Sequence, residues 1–213
     1  MGRPSKPLIS REIATRAALE VIDAEGLDGF SLGTVARALS VKSPSLYYHF
    51  SDKAELLSEV ARRILLDVRY PEESVGGWED RVIALCVATR RSILRHPNAA
   101  PLLLQFFPRH LLLGAYEEAV KGYRFSSELH VAIFDGLENL TFGHALFDAS
   151  ARARGVASMP PVDPELFPEL ARSVAANPYD DEGLFIESLK MFLVGARARI
   201  AELAVSPDRT PPS

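Results

Sequence analysis

One cysteine, one tryptophan and three methionines are all that 213 residues contain of these side chains. With Cys86 alone, no disulfide can close within the chain and no paired-cysteine metal site can form. That fits a reducing compartment, where Cys86 reads as a small apolar core residue rather than a catalytic thiol. No uncharged apolar stretch approaches the roughly 18 residues of a membrane span. The opening MGRPSKPLIS lacks the apolar run of a signal peptide. Both absences lead to the expectation of a soluble, cytoplasmic protein with no membrane partner. The chain also has no nucleophile elbow, no HExxH pair and no glycine-rich phosphate loop. His110 with Glu117 and His144 with Asp148 are pairs that any helical surface produces. The expectation is a protein that is not an enzyme and takes no metal and no cofactor.

Hydrophobic residues make up 47% and charged residues 24%, the balance of a globular chain with a sizeable core. The net charge of −4 by itself speaks against nucleic acid. Its distribution matters more, because exposed charges beyond about 8 Å are screened at physiological salt. Residues 1–16 hold Arg3, Lys6, Arg11 and Arg16 against Glu12 alone, whereas residues 54–213 hold seventeen basic and twenty-two acidic side chains. The front of the chain is the positive end of an otherwise acidic molecule.

Strand-like alternation is scarce and helical periodicity dominates, which predicts an all-α fold. Ser10 caps a first helix whose ridges are Ile13, Ala17, Val21 and Ala14, Ala18, Ile22, with Gly26 ending it. Ser31 caps a second, with Phe30 and Val35 placed as a hydrophobic staple. After a tight connection at Ser40–Lys42, Ser43 caps a third with Pro44 at its first position, where the missing N–H costs nothing. Ser51 caps a fourth that runs to about Arg69. Further helices are predicted over about 78–95, 109–122, 126–154, 165–175 and 182–205, with a short buried helix in NAAPLLLQFFP. Five prolines in 155–180 mark a long connection. The division expected is a DNA-binding domain of residues 1–55 and a larger helical domain of residues 56–213.

Two helices joined by a very short turn, the second of them polar and aromatic on its outside, describe a helix-turn-helix. Val35, Ala36 and Leu39 face inward, Val41 plugs the turn, and Leu46 and Phe50 anchor the third helix at i, i+4. Lys42, Ser43, Ser45, Tyr47, Tyr48 and His49 are left pointing outward, toward a major groove. Alternative readings remain: Tyr47 or Tyr48 packed on the fourth helix, His49 as a structural hydrogen-bonder, Arg3 and Lys6 as a solvated tail.

The segment SLGTVARALSVKSPSLYYHFSDKAELL resembles the DNA-binding segment of tetracycline-repressor-family regulators. It carries Ser31, Val35–Ala36, Leu39–Val41, Leu46–Tyr47, His49–Phe50, Lys53 and Leu56–Leu57 in the family's order. The resemblance is specific over roughly residues 10–60. It implies that Tyr47 and Lys53 hold phosphates of double-stranded operator DNA. It also implies that Lys42, Ser43, Pro44, Ser45 and Tyr48 sit nearest the bases and that His49 lies close to the backbone. The GRPSKP arm, with Arg3 and Lys6, would reach a minor groove, as basic arms can. Two departures stand out: Gly33 where many members have an arginine, and Ser40 in the turn where glycine is usual.

The family resemblance implies a homodimer, through a four-helix bundle of two helices from each chain. The stripes that suit it include Leu137, Leu140 and Phe147 on the long helix and Phe185, Leu189, Phe192 and Ala196 on the last. Both stripes read equally as core within one chain. A small-molecule effector pocket is likewise implied. Its candidate lining is Gln105, Phe106, His110, Tyr116, Asn139, Phe142 and His144, an apolar mixture with a few hydrogen-bonding groups. Leucines stand in 98–105, where tetracycline-binding members present a metal-binding histidine. The expected effector is therefore an apolar or aromatic molecule rather than a metal chelate. The whole reads as a ligand-responsive regulator, a repressor by family default.

Overall fold

The computed structural model describes residues 9–69, 76–122 and 127–205. Arg3, Lys6 and the tail from 206 lie outside these residues. Among the described residues every regular element is helical, which gives the all-α architecture expected. Helices α1 (Arg11–Glu25), α2 (Leu32–Ala38), α3 (Pro44–Tyr47) and α4 (Lys53–Leu66) form the front of the molecule. Behind them come α5 (Trp78–Leu94), α6 (Leu102–Gln105), α7 (Leu113–Gly122), α8 (His130–Ala153), α9 (Pro168–Ala176) and α10 (Asp181–Val205).

The N-terminal caps follow from side-chain chemistry. The Ser10 hydroxyl accepts from the Ile13 N–H, and Ser31 forms a reciprocal capping box with Thr34. Ser51 does not cap α4, as the sequence suggested. Asp52 does, accepting from the Glu55 N–H, while the Ser51 hydroxyl and N–H both donate to the Glu55 carboxylate. Nor does Ser43 cap α3: its backbone is already helical, and its side chain makes no cap bond. Helix α4 stops at Leu66 rather than Arg69, where Asp67 closes on Arg63 at 3.3 Å. Helix α9 starts three residues later than expected, at Pro168.

Ala14, Ala17, Ala18, Val21 and Ile22 of α1 pack inward, but Ile13, at the margin of that stripe, is 43% exposed. Phe30, Val35, Ala36, Leu46 and Phe50 join them, with Leu39 and Val41 packed partly against the same cluster. This core continues without a break through α4, the end of α5 and α6, to Ala145 and Ala149 of α8. A second cluster joins α5, α8 and α10 through Cys86, Val87, Ile133, Leu137, Phe185, Leu189 and Leu193. Asp23 ties α1 to the far end of α5. It faces His96 Nδ1 at 2.7 Å, and its carbonyl accepts from Asn98 at 2.8 Å.

The turn between α2 and α3 is a Schellman closure: Val41 N–H donates to the Ala36 carbonyl and Ser40 N–H to that of Arg37. It requires a left-handed residue at position 40, and Ser40 has φ 55°. A non-glycine residue there costs about 1–2 kcal/mol, partly offset by the greater unfolded-state freedom of glycine. Ser40→Gly is expected to raise stability by about 0.5–1 kcal/mol in urea unfolding, and Ser40→Val to lower it.

Candidate nucleic-acid interface and interior cavity

Helix α3 is too short to order itself, so its position is set by what it buries. Leu46 and Phe50 are fully enclosed by α1, α2 and α4. On the other side Tyr47 is 57% and Tyr48 86% exposed, with Lys42, Pro44 and Ser45 also exposed and Ser43 and His49 half-buried. The alternative of tyrosines packed on the fourth helix therefore does not describe this structure. Tyr48 and His49 meet edge to face at 5.3 Å between centroids. Arg37, at the end of α2, and Lys42 make no ion pair among the described residues, so their charge is available to an anionic partner.

Lys53 is more engaged than its sequence position suggests. Its ammonium donates to the Phe30 carbonyl at 2.9 Å and lies 5.2 Å from the centre of the Phe30 ring. It thus ties the start of α4 to the loop before α2, at the edge of the exposed face.

Arg11 was legible only as part of a positive end, yet it is the central tie of this region. Its guanidinium lies 4.5 Å above the Phe50 ring, donates to the His49 carbonyl, and pairs with Glu55 at 2.8 Å and Glu59 at 3.6 Å. The Ser51 N–H, then Arg11 and the Ser51 hydroxyl, hold the Glu55 carboxyl down to about 2.

A cavity opens between α5, α7 and α8. About 580 Å³ of space, part of it open to solvent, is lined by Val82, Leu85, Cys86 and Thr89 of α5; Leu112, Ala115, Tyr116 and Ala119 in and beside α7; and Phe134, Leu137, Glu138, Thr141 and Phe142 of α8. Tyr116 and Phe134 stack at 5.0 Å, with their planes 14° apart. Burial pushes the Cys86 thiol up to about 11. An adjoining space shares Leu85, Thr89, Leu112 and Ala115 and reaches Leu65, Leu66 and Val68 at the end of α4. Beyond it, the Ser92 hydroxyl donates to the Ile64 carbonyl at 2.6 Å, fixing α5 to α4.

Of the ligand residues expected from sequence, Tyr116 and Phe142 line this cavity. The others lie elsewhere. Gln105 and His110 are exposed, Phe106 packs on the front core, and Asn139 is exposed and bonded to Asp135 at 3.0 Å. His144 faces Asp148 at 3.2 Å. That aspartate belongs to a buried network absent from the sequence reading. Arg90, 2% exposed, pairs with Asp148 and lies 3.6 Å from Glu182, and the Ser158 hydroxyl donates to Asp148 at 2.9 Å. Burial works to raise the Asp148 carboxyl, but Arg90, Ser158 and His144 together hold it below its usual value.

The residues expected at a dimer interface divide similarly. Leu137, Phe185 and Leu189 are inside the chain's own core, which leaves them almost no surface to offer a second copy. Phe192 packs toward α8, where a Cβ on Gly136 would come within 2.3 Å of its ring. Leu140 and Ala196 are half-buried, and Phe147 is 80% exposed.

Residues 14–60 match the family model described as bacterial regulatory proteins, tetR family. An HTH-type transcriptional regulator of Saccharopolyspora erythraea is 36% identical over 46% of this chain, a stretch covering 42% of that regulator's own length. The class D tetracycline repressor of Escherichia coli is 25% identical over 92% of each chain. Among solved structures, ActR of Streptomyces coelicolor in complex with actinorhodin superposes with a TM-score of 0.71 at 25% identity, covering 91% of this chain and 98% of that one.

The Glu55 carboxyl lies below its ordinary 4.5 when folded, so its stabilising effect is complete above that value and fades as pH falls toward about 2. Glu55→Gln is therefore expected to lower the melting temperature near neutral pH. The gap from wild type should close progressively below pH 4.5, as followed by circular dichroism.

Proposed function

This chain belongs to the tetracycline-repressor family of transcriptional regulators, and we propose that it is a repressor released from its operator by a small apolar or aromatic effector. Members of this family are regulators, not enzymes. The observation that carries the proposal is α3 itself: a four-residue helix with its apolar side wholly buried and Tyr47 and Tyr48 held out toward solvent. Such an arrangement suits a groove of duplex DNA. In this reading Tyr47 and Lys53 bind phosphates, with Lys53 releasing or sharing the Phe30 carbonyl. Lys42, Ser43, Pro44, Ser45 and Tyr48 face base edges, His49 lies by the backbone, and Arg3 and Lys6 extend into a minor groove.

Residues 1–55 form the reading part in this proposal, and residues 56–213 form the sensing and pairing part. Phe147, with Leu140 and Ala196, forms the middle of a surface that a second copy covers, and exposed Met191 and Val194 on α10 extend it. A two-fold pair reads half-sites about one helical turn apart or a multiple of it. The place of action is the cytoplasm, where the operator is. The effector site is the cavity between α5, α7 and α8. An occupant there touches α5 directly and reaches α4 through Leu65 and Leu66, so filling it tilts α4 and shifts α3. Couplings of this kind are about 1–3 kcal/mol, or about 5–150-fold in operator affinity.

Fluorescence anisotropy with the DNA upstream of the chain's own gene tests the reading. Tyr47→Ala and Lys53→Ala are expected to weaken binding to every duplex and reduce the salt slope, whereas Lys42→Ala and Ser45→Ala change which sequences are preferred. A uniform loss in all four would contradict the assignment of contacts. Sedimentation should show Phe147→Asp as a single subunit with weakened operator binding; an undisturbed dimer would rule out this pairing surface.

A further inference from the structure

Among the described residues, Glu138 is the one charged side chain in the wall of the cavity. It stands on α8 one turn before Thr141, so the two share a face of the helix. Among the described residues its carboxylate makes no ion pair and no hydrogen bond. The cation whose charge reaches it is Arg109, and that guanidinium lies 5.9 Å from the Phe107 ring rather than in contact with Glu138. Burial pushes the Glu138 carboxyl above the ordinary range, with Arg109 pulling the other way. Glu138 is half-buried, and a carboxylate partly withdrawn from water without a partner is less favourable than a solvated one. A positive occupant relieves that cost, and an anionic one adds to it. Beside it, the stacked Tyr116 and Phe134 rings supply an apolar, electron-rich surface, the kind that attracts organic cations. The Thr141 hydroxyl, on the same face, is buried beside the Cys86 thiol.

We infer that the effector is an amphiphilic cation, an apolar or aromatic body with one ammonium group, seated with its positive end against Glu138 and its body between Tyr116 and α5. This rests on the cavity being the effector site and narrows what enters it.

The test uses the full chain and two probes of one shape: (biphenyl-4-ylmethyl)trimethylammonium and its neutral isostere with carbon in place of nitrogen. Titration calorimetry on wild type is expected to show the cation bound at least about tenfold tighter than the isostere, as for other close charge pairs. Glu138→Gln should lower that preference by about tenfold, and Glu138→Asp should keep part of it. Equal affinity for the two probes in wild type, no binding of the cation, or a preference that survives Glu138→Gln would each overturn the inference. Ala115→Trp, which fills the cavity, separates this result from the larger reading. If the neutral probe alone binds wild type and is lost in Ala115→Trp, the cavity stands as effector site and the charge inference falls. If both probes bind Ala115→Trp as they bind wild type, the cavity itself is the wrong place and both readings fall.

Discussion

A helix of four residues has too few internal hydrogen bonds to persist alone, so the exposed face of α3 exists only because Leu46 and Phe50 are buried. Every group proposed to meet DNA is placed by that burial. Arg11 then fixes the direction, holding the ring of Phe50 from above and the His49 carbonyl beside it while its charge is taken up by Glu55 and Glu59. One cation on α1 thus joins the end of α3 to the first two turns of α4. A movement of α4 is transmitted to α3 through the same contacts that order it.

Helix α4 carries opposite obligations at its two ends. Its start is tied to the loop before α2 by Lys53. Its last turns belong to the wall of the space that adjoins the cavity, and the Ile64 carbonyl is held by Ser92 of α5. On the far side of the cavity, the Arg90–Asp148 pair and Glu182 lock α5, α8 and α10 together. Helix α7 has no fully buried side chain among its described residues, so it is the softer wall. In the proposed reading an occupant meets a firm floor of α5 and α8 and a wall at α7 that can give, with α4 reached through the adjoining space.

The helices and the front motif were legible because they are local: a capping serine, a proline at a first position and a 3.6-residue apolar stripe act within a turn or two. Ser40 was legible for the same reason, since the turn between Leu39 and Val41 needs a left-handed residue whatever its type. Competition between neighbours decided what was missed at this scale. Asp52 displaced Ser51 as the cap because the Ser51 groups were already bonded to Glu55. The interior site was only partly legible, because its walls come from three helices far apart in sequence. Tyr116 and Phe142 were expected from their surroundings and do line the cavity, whereas Glu138 looked like any acid on a helix until the residues around it were known to be apolar. Arg90 gave no warning either, for its partners lie 58 and 92 positions away. The dimer stripes failed to distinguish a face turned toward the chain's own core from one turned toward a second copy, since both are apolar at the same period.

The thiol of Cys86 bears on the chemistry of the proposed effector site. Pushed up to about 11, it stays protonated at neutral pH, and the protonated sulfur is a poor nucleophile toward peroxide and electrophiles alike. In the proposed reading, a wall built with this cysteine answers to the shape and polarity of an effector rather than through thiolate chemistry.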